Sequence, residues 1–121
     1  MAGTRERTQL SMVIPLYNEA ISVEKLHERL INTLESMGKS YEVIYVDDGS
    51  SDGTTGLLRR LQLKDPSVRV IVFNRNYGQH AAVVAGFERA TGEVIVTLDG
   101  DLQNPPEEIP KLLAKIKEGY D

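Results

Sequence analysis

Asp99-Gly100-Asp101 joins two carboxylates across one glycine, directly after the β-rich run Glu93–Leu98 and directly before Leu102-Gln103-Asn104-Pro105-Pro106. Two carboxylates held that close at a strand tip repel each other unless a cation lies between them. Oxygen ligands from aspartate suit a hard divalent ion, Mg²⁺ or Mn²⁺, which completes its shell with water and substrate phosphates. The chemistry indicated is metal-assisted work on a phosphorylated substrate, with a solvated turn as the competing reading.

A second acidic cluster, Asp47-Asp48-Gly49-Ser50-Ser51-Asp52-Gly53, ends the apolar run Val43–Val46. A tight turn followed by a helix cap accounts for part of it. Two adjacent carboxylates are more than a turn needs, and one of them could accept hydrogen bonds from a base N–H or a ribose hydroxyl. Arg75 could hold a phosphate or simply neutralise the acidic loops. His80 reads as a first-turn helix residue, since no carboxylate in the sequence is placed to orient it as a base. Tyr17 could line a crevice or pack at a strand end. His27 falls on the polar side of a helical pattern, which predicts an exposed imidazole.

The elements that must position these residues follow from hydropathy. Four nearly continuous apolar runs, Leu10–Leu16, Tyr41–Val46, Val68–Phe73 and Val94–Leu98, predict parallel strands covered on both faces. Between them lie helical patterns. The first carries Val23, Leu26, Leu30, Leu34 and Met37, with Asn18 or Ser22 available as its cap and Gly38 as its stop. The second runs from about Thr54 to Leu63. The third, from Gln79 to Ala90, is rich in small residues and so can lie close against a sheet. The fourth follows Pro105-Pro106, with Glu107 and Glu108 opening it and Lys115 and Lys117 closing it, as the helix dipole favours. Pro110 is compatible with that helix only if it begins near Pro106. The order βαβαβαβα predicts an α/β fold, a Rossmann-like open parallel sheet with flanking helices.

In such a sheet, ligands bind outside the carboxyl ends of the strands. Pro15, Tyr17, Asn18 and Glu19 follow the first strand; Asp47, Asp48 and Gly49 follow the second. Asn74, Arg75, Asn76, Tyr77, Gly78, Gln79 and His80 follow the third; Asp99, Asp101, Gln103 and Asn104 follow the fourth. The opposite loops, around Gly38–Ser40, Lys64–Ser67 and Thr91-Gly92, are short and chemically plain. The candidate residues therefore converge on one crevice.

With 121 residues, the chain has the size of one domain with a real core. A net charge of −4 with no basic stripe disfavours nucleic acid as a partner, and the lack of cysteine excludes a disulfide scaffold and thiol chemistry. This usage fits a reducing cytoplasm. No apolar stretch is long enough to cross a bilayer, and the first ten residues do not form a signal peptide. Residues 1–8 read as a flexible tail and 9–121 as the folded part.

Taken together, Val13-Ile14-Pro15-Leu16-Tyr17-Asn18-Glu19, the stretch Val46–Thr54, Asn74-Arg75-Asn76-Tyr77-Gly78-Gln79 and the stretch Leu98–Pro106 resemble family 2 glycosyltransferases. The Asn74–Gln79 and Asp99–Pro106 segments are most similar to the polyprenyl-phosphate group, which includes dolichol-phosphate mannose synthases and undecaprenyl-phosphate transferases. The resemblance implies a GT-A fold, a nucleotide-sugar donor, a Mg²⁺ or Mn²⁺ ion, an inverting mechanism and a polyprenyl-phosphate acceptor. It implies that Pro15, Tyr17, Asn18 and Glu19 line the nucleoside pocket, joined by Asp47, Asp48, Arg75, Gly78 and Asp99 as nucleotide-binding residues. Asp99, Asp101 and Gln103 would hold the metal, with Asp99 and Asp101 as the catalytic pair.

UDP is favoured as donor base, with GDP-mannose as the alternative. The family continues past the point matched by Asp121 into an acceptor-binding half. The chain is thus expected to be a donor-binding part, weak in nucleotide binding and inactive alone, belonging to an enzyme at the cytoplasmic face of a membrane. Exposed sheet edge makes a homo-oligomer a further expectation. Two other readings remain: a non-catalytic nucleotide-binding module, and a receiver-like signalling domain. The latter needs its acid pair after the first strand and a lysine after the last, a pattern this chain lacks.

Overall fold

The computed structural model of the chain describes residues 8–100 and 105–117. The elements follow the expected alternation: β1 (Leu10–Leu16), α1 (Val23–Met37), β2 (Tyr41–Asp47), α2 (Thr54–Lys64), β3 (Val68–Val72), α3 (Gln79–Arg89), β4 (Val94–Thr97) and α4 (Ile109–Lys117), with a 3₁₀ turn at Pro106–Glu108 before α4. The four strands are parallel in the order β3-β2-β1-β4. β1 lies at the centre, with Leu10 opposite Tyr41 on one side and Val94 on the other. The expected tail over residues 1–7 lies outside the described residues, and Thr8 is tied down by accepting a bond from the Glu93 N–H.

Alternation along the strands builds two cores. Leu10, Met12, Ile14 and Leu16 of β1 and Val43 and Tyr45 of β2 face Leu26, Leu30 and Leu34 of α1, Leu58 of α2, and Ile109 and Leu113 of α4. The other face sets Val13, Ile44 and Val46 against Ala82 of α3. α3 can approach because its contact residue is glycine: a Cβ on Gly86 would lie 2.3 Å from Val13 Cγ1. Truncating one of the buried leucines of α1 to alanine would cost about 3 kcal/mol.

Burial on both faces holds for β1 and β2 only. β3 and β4 form the edges, and Val72 and Ile95 are exposed. All four runs share the same composition, so the difference comes from strand order, which composition does not encode.

The helix ends mix confirmation with correction. Gly38 is left-handed at φ 68° and closes α1 as expected. Ser22 sits at the N-cap of α1 without a side-chain capping bond. Pro110 is the second residue of α4, an early helical position that proline's fixed φ suits. Arg29 of α1 forks onto Glu107, at 3.0 Å through Nε and 2.5 Å through Nη2, and ties α1 to the 3₁₀ turn.

His27 is a correction. It is buried rather than exposed, with Nδ1 2.7 Å from the Tyr45 hydroxyl and Nε2 3.3 Å from Asp65 Oδ2. The helical period places it on the rim of the apolar stripe, and the α2–β3 corner closes over it. Burial lowers its pKa, against the opposing pull of Asp65.

Candidate functional site

The loops after β1 and β2 are zipped together. Asp48 N–H donates to the Leu16 carbonyl at 2.8 Å. Three successive amides of the first loop then donate to side chains of the second: Asn18 N–H to Ser50 Oγ (2.9 Å), Glu19 N–H to Thr54 Oγ1 (3.0 Å) and Ala20 N–H to Asp52 Oδ2 (3.1 Å). Asn18 reciprocates by accepting from Ser51 N–H through Oδ1 at 2.8 Å, from a left-handed backbone at φ 53°. Asparagine tolerates that conformation better than most residues. Asp52 also accepts from the Thr54 hydroxyl at 2.6 Å, the main cause of its lowered pKa.

Asp47 and Asp48 are both buried, at 0% and 3% exposure, yet they serve different loops. Asp47 closes its own: Oδ1 accepts from Ser50 N–H at 3.0 Å and Oδ2 from the Thr55 hydroxyl. Asp48 reaches across to the loop after β3. Its Oδ1 accepts from Tyr77 N–H at 2.7 Å, and its Oδ2 from Gly78 N–H at 3.0 Å and Asn76 Nδ2 at 3.1 Å. Charge-assisted bonds to several N–H donors are what make a buried carboxylate tolerable. Gly49 lets the two loops touch, since at φ 78° a Cβ there would fall 2.3 Å from the Arg75 carbonyl carbon.

The tip of β4 closes the fourth side. Leu98 N–H donates to the Val13 carbonyl, and Gly100 is buried so tightly that a Cβ would meet Leu16 Cδ2 at 2.0 Å. The Ser22 hydroxyl lies 3.0 Å from Glu19 Oε1 and 3.4 Å from the Gly100 carbonyl. Asp99 accepts from Gln79 Nε2 at 3.1 Å through Oδ1, while Oδ2 has no hydrogen bond among the described residues.

These four loop tips enclose a cleft of about 190 Å³. Of the residues singled out in the sequence, it gathers Pro15, Tyr17, Glu19, Asp48 and Asp99, with Leu16, Gln79 and Gly100 completing the wall. Asn18 and Asp47 brace the wall from behind. Gly78 starts α3 beside it. Arg75 turns outward, its guanidinium 5.1 Å from the centroid of the Tyr77 ring, which itself meets Phe73 edge-on at 5.5 Å. His80 is exposed in the first turn of α3.

Asp101 and Gln103 lie outside the described residues, so Asp99 is the described member of the expected metal set. Among the described residues, no group of three potential ligands forms a metal cluster. The carboxylate of Asp99, a cleft-wall residue, offers hard oxygen donors and fits Mg²⁺ or Mn²⁺ as one ligand of such a set.

A larger hollow of about 1080 Å³ opens at the amino edge of the sheet, away from the acidic tips. Its buried carboxylate, Glu42, is taken up by the Ser11 hydroxyl (2.6 Å) and by Thr91 N–H (2.7 Å) and Oγ1 (3.0 Å). The Thr91-Gly92 loop, plain in sequence, is thus a fastening point. The small cleft, not this hollow, gathers the strand-end residues singled out in the sequence. Ser50, Thr54 and Gln79 lie in the motifs singled out, but their roles were missed because their partners, Asn18, Glu19 and Asp99, lie 20 or more positions away.

The model of glycosyl transferase family 2 matches residues 11–121. The chain belongs to that family. Among solved structures, this family 2 chain is similar to the mannosyltransferase PcManGT from Pyrobaculum calidifontis, solved in complex with GDP-Man and Mn²⁺. The TM-score is 0.69 with 27% identity over 79% of this chain and 28% of that one. It is also similar to residues 1–349 of S. aureus TarS, with a TM-score of 0.67 and 26% identity over 92% of this chain and 33% of that one. The complex of that TarS fragment with UDP matches at a TM-score of 0.65 and 25% identity, over 92% of this chain and 32% of that one. The chain thus spans a third or less of the length of the solved relatives it matches. The likeness to these GT-A enzymes shows the fold, an α/β Rossmann-like parallel sheet.

Proposed function

We propose that residues 9–121 form the nucleotide-sugar-binding part of a metal-dependent, inverting glycosyltransferase that acts on a polyprenyl phosphate. The observation that carries this is the convergence of all four strand-end loops on one cleft, whose wall includes Asp99 with one carboxylate oxygen that has no hydrogen bond among the described residues. Nucleotide complexes of the relatives, with GDP-Man and Mn²⁺ in one and UDP in another, support a donor of that class. UDP-sugar is the favoured donor, with GDP-mannose as the alternative.

In this reading Pro15, Tyr17, Asn18 and Glu19 bound the nucleoside, and Asp48 presents the outer side of its carboxylate to base or ribose. Asp47 acts from behind by shaping the turn. Gly78 lets the main chain approach the nucleotide, and Arg75 swings from the Tyr77 ring to a phosphate. Asp99, Asp101 and Gln103 would hold Mg²⁺ or Mn²⁺, which as a Lewis acid stabilises charge on the departing nucleoside diphosphate. A phosphate acceptor is already anionic near neutral pH, so it can attack the anomeric carbon from the opposite face without a strong base. This matches a cleft whose described wall contains no histidine. The setting proposed for the whole enzyme is the cytoplasmic face of a membrane.

Calorimetric titration with UDP and GDP, each with and without Mn²⁺, tests the proposal. The expected outcome is metal-dependent binding of one nucleotide, UDP first, abolished by Asp101→Ala. Binding that ignores Mn²⁺ would remove the metal from the mechanism, and binding of neither nucleotide would remove the donor site from this chain.

A further inference from the structure

We infer that Gln79 is the positioning residue for Asp99, holding one carboxylate oxygen so that the other is presented to the cleft; this rests on the donor-site reading above. Gln79 Nε2 donates to Asp99 Oδ1 at 3.1 Å, and both residues belong to the cleft wall. An ionised carboxylate only accepts, so the amide must turn its NH₂ toward Asp99.

The anchorage behind Gln79 makes this contact more than a surface coincidence. Gln79 is the first residue of α3, and the backbone just before it is clamped. Asp48 accepts from Tyr77 N–H and Gly78 N–H through its two oxygens, and Asn76 adds a third donor. Gly78 itself lies at φ 104°, ψ 156°, a region open essentially to glycine alone. The helix start is therefore fixed relative to the tip of β2, and Gln79 carries that fixed position across the cleft to the tip of β4. The Asp99 backbone has its own support, since the neighbouring Gly100 packs on Leu16 and Pro15. With main chain and one oxygen both held, the plane of the Asp99 carboxylate, and with it the direction of its second oxygen, is fixed.

The choice of a neutral donor matters. Lysine or arginine at position 79 would orient Asp99 equally well, but would cancel the negative charge that a divalent ion requires. An amide holds the carboxylate and leaves its charge in place. Partners of this kind, which touch a ligating group rather than the ligand, typically change metal affinity 10–100-fold when lost.

The test compares Gln79→Leu, Asp99→Asn and the double variant of this 121-residue chain. The readout is the ratio of UDP affinities with and without Mn²⁺, with urea midpoints checking the fold. Gln79→Leu is expected to lower that ratio about tenfold, and to lower it no further in the Asp99→Asn background, because the two residues act as a unit. A ratio within twofold of the parent in Gln79→Leu, with the ratio lost in Asp99→Asn, would overturn the role of Gln79 and leave the donor site standing. Independent, multiplying losses in the double variant would overturn it as well. If neither the parent nor Asp99→Asn shows any dependence on Mn²⁺, the site reading itself fails and the inference falls with it. A ligand-free measurement stands beside these: the side-chain amide ¹⁵N–¹H signals of Gln79 should shift on Asp99→Asn, and unchanged signals would overturn the contact.

Discussion

The two acidic tips, one after β2 and one after β4, are built from the same residue and put to opposite uses. At the β2 tip both carboxylates are buried and surrounded by donors: Asp47 by Ser50 and Thr55, Asp48 by Asn76, Tyr77 and Gly78. At the β4 tip, Asp99 is only partly buried and has, among the described residues, a single amide partner. Asp48, with three N–H donors, is first an architectural part with only its outer side left for a ligand, whereas Asp99 has an oxygen with no hydrogen bond among the described residues. Satisfying a buried charge and leaving one available are incompatible demands, and this fold assigns them to different strands.

The comparison breaks most readily at Gly49. Alanine there must adopt φ near 78° with its Cβ inside the Arg75-Asn76 backbone, so Gly49→Ala should cost about 3 kcal/mol in urea unfolding and detach the loop after β3. A loss under about 1 kcal/mol would show that the loops do not depend on each other. Next comes a matched pair. Asp48→Asn should lose about 2 kcal/mol of stability, since three N–H groups lose a charged acceptor. Asp99→Asn should change stability by less than about 0.5 kcal/mol while abolishing the Mn²⁺ dependence of nucleotide binding. Equal stability losses would erase the distinction between the tips.

Gly100→Ala sharpens the β4 side. Its Cβ can be accommodated only if Leu16 repacks, at a cost of about 1.5 kcal/mol, and Asp99 should shift with it, visible as weaker nucleotide binding than stability alone predicts.

The smallest effect lies away from both tips. Burial holds the folded pKa of His27 below its unfolded value, so the folded chain resists a proton that the unfolded chain accepts. Stability should therefore be full above a pH of about 6.5 and fall as pH drops through that value. Burial also works against the ionisation of Asp65, but the Ser67 hydroxyl and N–H, together with His27, outweigh it and hold that carboxyl low. The loss of its contribution comes only at more acid pH. Urea midpoints between pH 8 and 5 should decline in the parent and flatten in His27→Gln.

The alternation of elements was legible because a buried parallel strand needs a continuous apolar run, and each of the four has one. Strand order was not, so the half-exposure of β3 and β4 could not be foreseen. The gathering of Pro15, Tyr17, Glu19, Asp48 and Asp99 followed from their place at the carboxyl ends. The split between Asp48 and Asp99 did not, since it depends on which loop supplies N–H donors. His27 was misjudged because its partner Asp65 lies 38 positions away, beyond any helical period. Gln79 stood in the Asn74–Gln79 motif, but its contact with Asp99 joins residues 20 positions apart and could not be read from that motif.

The central place of β1 has a consequence for how the molecule assembles. Its pairing with β2 joins residues 31 positions apart, Leu10 with Tyr41, whereas its pairing with β4 joins residues 84 apart, Leu10 with Val94. Closing the longer loop costs about 0.9 kcal/mol more in chain entropy, and four paired positions repay it rather than seven. A chain emerging from synthesis can thus fold its structural acids while its reactive one is still unmade. In the finished molecule β4 is the strand most able to lift away and reseat, so its amides should exchange with solvent ahead of those in β1 and β2.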